Sequence, residues 1–133
     1  MIDTSMNLEK ESIFGTKQEE IEYLQKQLEE AKKEAGIEIE RQIERGKEII
    51  RQHSEIPQET IGKEYAFSSE EKLRRVENLK EEPHQKQVEA LLRIAEEKGV
   101  WNATQIVKGI RNDHLTDDFH RNLVSKFFGI KMR

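Results

Sequence analysis

The 133-residue chain contains no cysteine, two prolines and few aromatic residues, 6% of the total. Without thiols it has no disulfides, no thiolate zinc site and no cysteine nucleophile. Hydrophobic residues make up 34% of it, against roughly 45–50% in an ordinary globular domain, a count that includes glycine. No apolar run approaches the roughly 18 residues of a membrane-spanning helix. Met1 to Phe14 mixes Asp3, Glu9 and Glu11 with scattered apolar side chains, so it has neither the basic start nor the apolar stretch of a secretory signal. A cytoplasmic location is the expectation. The net charge of −4 gives no electrostatic reason to expect nucleic acid or a membrane surface as partner. There is also no G-x-S-x-G elbow, no phosphate-cradling glycine loop and no paired cluster of acids. No catalytic residue, no cofactor site and no small-molecule ligand is therefore assigned, and the protein reads as non-enzymatic.

Charge is abundant, at 38% of residues, and unevenly placed. Lys17 to Glu55 holds 11 acidic and 8 basic side chains in 39 positions. His84 to Arg133 holds 6 and 9 in 50, together with Trp101, Phe119, Phe127 and Phe128. The first stretch reads as an exposed amphipathic helix and the second as the compact part. Thr16 with Glu19 forms a capping-box pattern that starts the helix. Its apolar stripe runs through Ile21, Leu24, Leu28, Ala31, Ala35, Ile39, Ile43, Gly46 and Ile50 in steps averaging about 3.6 residues, the period of a straight helix. Gly36 and Gly46 each weaken it by roughly 0.8–1 kcal/mol relative to alanine. The stripe nevertheless runs through both, which predicts continuity to about Gln52. Ile21, Leu24, Leu28, Ala31 and Ala35 alternate steps of three and four. They form the candidate partner-binding seam, either in a short coiled coil with a second chain or against the protein's own helices.

Ser54 to Phe67 breaks the pattern, since Pro57 disfavours helix at Ile56, and reads as a linker. Ser68 with Glu71 opens a second helix carrying Leu73, Val76 and Leu79 inward. Another runs from Pro83 to Lys98, with Val88, Leu91, Leu92 and Ala95 on one face, and closes on Gly99. Asn102 is placed to cap a short helix with Ile106, Val107 and Ile110. Asn112 or Asp113 caps a last one with Leu115, Phe119, Leu123 and Phe127. The expected organisation is a flexible tail over residues 1–15, a long helix over 16–53, a linker over 54–67 and a compact helical domain over 68–133. In short, it is an all-α chain with a long charged N-terminal helix followed by a small C-terminal helical bundle.

His114, Asp117, Asp118 and His120 put two imidazoles and two carboxylates in seven residues. On a helix only His114 and Asp118 converge, fewer than the three ligands a bound metal needs, so no metal site is assigned. His53 and His84 flank the proline turns and read as surface residues. The last two helices have helix-turn-helix proportions, but the reading helix would open with Asp113, Asp117 and Asp118, which repel phosphates.

The stretch from Pro83 to Gly99, followed by Asn102-Ala103 and by Asn112-Asp-His-Leu-Thr-Asp-Asp-Phe-His-Arg-Asn-Leu-Val124, resembles a short C-terminal helical module of uncharacterised bacterial proteins. Some of these are linked to type IV secretion or conjugation-like machinery. The resemblance covers roughly the last third of the chain, implies an adaptor or assembly role, and assigns no site residues. The leading expectation is a non-catalytic interaction or assembly protein, joined to a protein partner or to itself through the long helix. The alternative is a DNA-binding protein that dimerises through that helix and reads DNA with Leu115 to Phe127.

Overall fold

The computed structural model describes residues 12–36 and 38–129. Of the expected tail, positions 1–11 lie outside the described residues. Among the described residues six α-helices follow one another: α1 Lys17–Ala35, α2 Ile39–Ser54, α3 Ser69–Lys80, α4 His84–Lys98, α5 Val100–Ile110 and α6 Asp113–Phe128. A 3-10 turn at Gln58–Thr60 lies between α2 and α3. The all-α expectation holds, but the single long helix does not.

The helix expected over residues 16–53 is a hairpin of α1 and α2. Gly36 sits at φ 80° and its N–H bonds back to the Lys32 and Lys33 carbonyls, a glycine stop that a residue with a Cβ resists. Near the turn Arg45 reaches Glu34 at 3.4 Å, and at the far end His53 meets Glu20, so the two helices run antiparallel. The apolar period in the sequence therefore marks two stripes facing each other, and Ile39, read as part of the stripe, lies outside them at 53% exposure. Gly46 stays helical and buried inside α2.

One apolar core draws on all six helices. Leu24, Leu28 and Ala31 of α1 and Ile43, Ile49 and Ile50 of α2 join Val76, Leu91, Ile106, Leu115, Phe119 and Leu123 from the remaining four. The two parts separated by charge density thus share an interior. Several helix starts are those read from the residues: Thr16, Ser68 and Asn112 accept the N–H groups of Glu19, Glu71 and Leu115. The Glu19 carboxylate closes the first box one residue early, accepting from Gly15 N at 2.8 Å.

Three local expectations need correction. Leu73 points outward, 61% exposed. Helix α3 leans on α5 along a narrow line where Val76 enters the space left by Gly109, and Leu73 lies about 60° around the helix from that line. Asn102 does not cap α5, which begins two residues earlier, at Val100. Its amide instead ties down the preceding loop, donating to Tyr65 O and Lys98 O and accepting from Phe67 N. Finally, the supposed linker is anchored. Phe14 and Ile61 form a parallel bridge and, with Trp101, a second small core. The backbones of Gly15 and Gly62 approach so closely that a Cβ on Gly62 would lie 2.7 Å from Gly15 Cα.

Candidate functional site

The polar centre of the molecule is Glu20, fully buried at 0% exposure. Its Oε2 receives His53 Nε2 at 2.7 Å and Trp101 N at 2.5 Å. Its Oε1 receives Val100 N at 2.8 Å and the Tyr65 hydroxyl. Two of these donors are the first backbone amides of α5, which has no cap of its own because Gly99 precedes it. A carboxylate from α1 therefore caps α5, adding the attraction of a negative charge for a helix N-terminus. Burial, followed by the facing carboxylate, pushes the Tyr65 hydroxyl far above the ordinary phenol range. His53 stacks on Phe14 with ring centroids 5.3 Å apart, and its Nδ1 is buried without a hydrogen-bond partner among the described residues. Gly99 is indispensable: at φ 109°, a Cβ there would fall 1.7 Å from Tyr65 Oη. The four donors tie α1 to α2, to the loop before α3 and to α5, which makes Glu20 a structural keystone, and Glu20 also lines the groove that opens next to it.

Beside it opens a groove of about 280 Å³ between α1, α4 and α6. Ile21, Ala95, Val100, Leu123 and Phe127 supply apolar lining, with Lys17, Glu96 and Lys126 around them. Lys126 pairs with Glu96, holding that carboxyl below its ordinary range. Lys17 Nζ donates to the Glu96 carbonyl at 3.1 Å.

The candidate seam is placed differently from a free partner surface. Leu24, Leu28, Ala31 and Ala35 are buried by the protein's own helices, because α2 folds back onto α1 and covers the stripe. Ile21 alone of the five remains half-buried and lines the groove.

The expectation that His53 and His84 are both surface residues fails for His53, which is 2% exposed. Where α4 and α6 begin, the fold does what the sequence did not suggest. His84, first residue of α4, meets the His114–Asp118 pair. One donor atom from each of the three lies within 4.8 Å of the others, so a third convergent ligand exists after all. His120 is not part of it; it is buried beside Asp117, Lys47 and Arg51, and desolvation lowers its pKa from 6.5 to about 4. Asp117 instead pairs with Lys47 of α2 at 2.5 Å.

The chain matches no protein-family model, no curated protein and no solved structure. Glu20 and His53 carried a signal that could have found them. Glu20 lies four residues before Leu24, and His53 three after Ile50, so each extends an apolar stripe by one helical step. No comparable signal joins His84 to His114, because their meeting depends on how α4 packs on α6. None of the described helices is long and apolar enough to cross a membrane.

Proposed function

We propose that this protein is a non-catalytic interaction or assembly module of the cytoplasm that receives an amphipathic helix of a protein partner in the groove between α1, α4 and α6. The observation carrying this reading is the groove's apolar lining of Ile21, Ala95, Val100, Leu123 and Phe127. Such a surface suits the apolar face of a helix with anchors at i, i+3 or i+4, and i+7. Of the charged residues lining the groove, Lys126 pairs with Glu96 and Glu20 is held by its four donors, which leaves Lys17 as the cation that favours a helix with acidic flanks. The recognition surface keeps Ile21 from the seam along α1, whose other four residues are buried in the protein's own core.

The test is titration of the isotope-labelled full chain with an acidic, Leu-rich helical peptide, and with a basic peptide of the same apolar face. The expected result is saturable shifts centred on Ile21, Leu123 and Phe127, weaker for the basic peptide and lost in Ile21→Asp. A chain that is monomeric at all concentrations, with no saturable shift from either peptide, would overturn the reading.

A further inference from the structure

Where α4 and α6 begin, at residues that do not line the groove, the geometry points to a zinc-type site formed by His84, His114 and Asp118. The three side chains come from two helices that pack on each other, and both histidines occupy first turns. His84 opens α4 directly after Pro83, and His114 is the second residue of α6, behind the Asn112 cap. Their backbones are therefore pinned by two helix starts, while Asp118 stands one turn along from His114.

The donor atoms are arranged around a common point. Asp118 Oδ2 lies 2.7 Å from His84 Nε2 and 3.8 Å from His114 Nε2. A tetrahedral zinc with bonds of about 2.0–2.2 Å places its ligand atoms roughly 3.4 Å apart. Those two separations bracket that value, and the donor atoms of His84 and His114 lie within 4.8 Å of each other, so each pair is within about 1.4 Å of the tetrahedral spacing. Side-chain rotation can supply the adjustment, since the His114 side chain is 77% exposed and those of His84 and Asp118 about a third exposed. The imidazole rings are stacked face to face, with centroids 4.7 Å apart and planes at 19°.

The ligand type selects the ion class. Two imidazoles and a carboxylate suit zinc and its first-row neighbours, whereas calcium and magnesium prefer oxygen-only cages. Three protein ligands at an exposed position leave the fourth to water. A metal there would clamp the start of α4 to the start of α6.

The test uses the untagged full chain and zinc sulfate, followed by calorimetry, with cobalt(II) absorption as a reporter of coordination. The expected result is one zinc per chain, visible cobalt bands of a nitrogen- and oxygen-ligated ion, and a higher Tm with zinc. His84→Ala, His114→Ala and Asp118→Asn should each weaken zinc by about 10- to 100-fold or more, at least the effect of losing an outer partner of a metal ligand. Asp113→Asn, which removes an exposed acid from the same first turn, should leave binding unchanged. Metal-free melting of each variant shows whether the fold is intact. The site is refuted by absence of binding up to millimolar zinc, by binding that the three ligand variants leave unchanged, or by an equal loss in Asp113→Asn.

Discussion

Four donors from four separate residues end on the two oxygens of Glu20. Glu20→Gln keeps the shape but replaces one acceptor by an N–H group, setting donor against donor at the start of α5. Hydrogen bonds to a charged group contribute about 1.5–3 kcal/mol each, and a buried donor left unpaired costs more than the bond is worth. The expected loss is about 3 kcal/mol by urea denaturation. Unchanged stability would show that the hub is not the keystone. His120 gives a second residue-scale test. Its pKa is depressed from 6.5 to about 4 by burial, so the unfolded chain takes up a proton there before the folded one does. Stability is retained above the unfolded value and lost as pH falls from about 6.5 to about 4, by up to about 3 kcal/mol. His120→Gln should flatten that slope. The remaining acid sensitivity should appear lower, where the carboxyls of Glu48, Glu71 and Glu96, each held below its ordinary range by a basic neighbour, become protonated. At this scale the caps were legible from composition and spacing, since Thr16, Ser68 and Asn112 act within three residues. The hub was not, because a glutamate among Glu19 and Glu22 reads as a solvated face unless the stripe is extended one step backwards.

Helix boundaries show how phase and punctuation compete. Residues 16–53 keep one apolar period across Gly36, and that period arises because α1 and α2 each bury a stripe against the other. The opposing signals were a glycine and the lysines at positions 32 and 33, which favour a helix C-terminus. Gly36→Ala separates the two arrangements by sign. In a continuous helix it would stabilise by roughly 0.8–1 kcal/mol. In the hairpin Gly36 holds φ 80° and ψ −152°, and a methyl group on its Cα would meet nothing within 4 Å. The whole effect there is backbone strain. That region costs a non-glycine residue about 1–3 kcal/mol. Thermal melting should therefore show a loss for Gly36→Ala. The same logic explains α5, whose start no local residue announces: Gly99 supplies the sharp turn and the cap arrives from α1.

For the molecule as a whole, the contrast in charge density between the first and last thirds suggested separable parts, and burial argues against that division. A helix on the outside of a small protein needs only a narrow apolar stripe, so a high charge count is compatible with full participation in the core. Helix α6 lies against α2 and α4, and α1 brings Leu24, Leu28 and Glu20 to the same interior. Residues 56–133 expressed alone would expose Leu115, Phe119 and Leu123, each 0% exposed in the full chain, and would leave the first amides of α5 without their carboxylate. Removing several buried side chains at about 2–5 kcal/mol each exceeds the roughly 5–15 kcal/mol that holds a typical domain together. The fragment is therefore expected to show no cooperative melt and to bind a hydrophobic dye. Adding residues 12–55 as a separate peptide should restore both the helical signal and the transition, since the lost contacts lie between pieces rather than within one. A fragment that melts cooperatively alone would return the long hairpin to the status of an appendage, and would make α1 available again as a partner-binding arm.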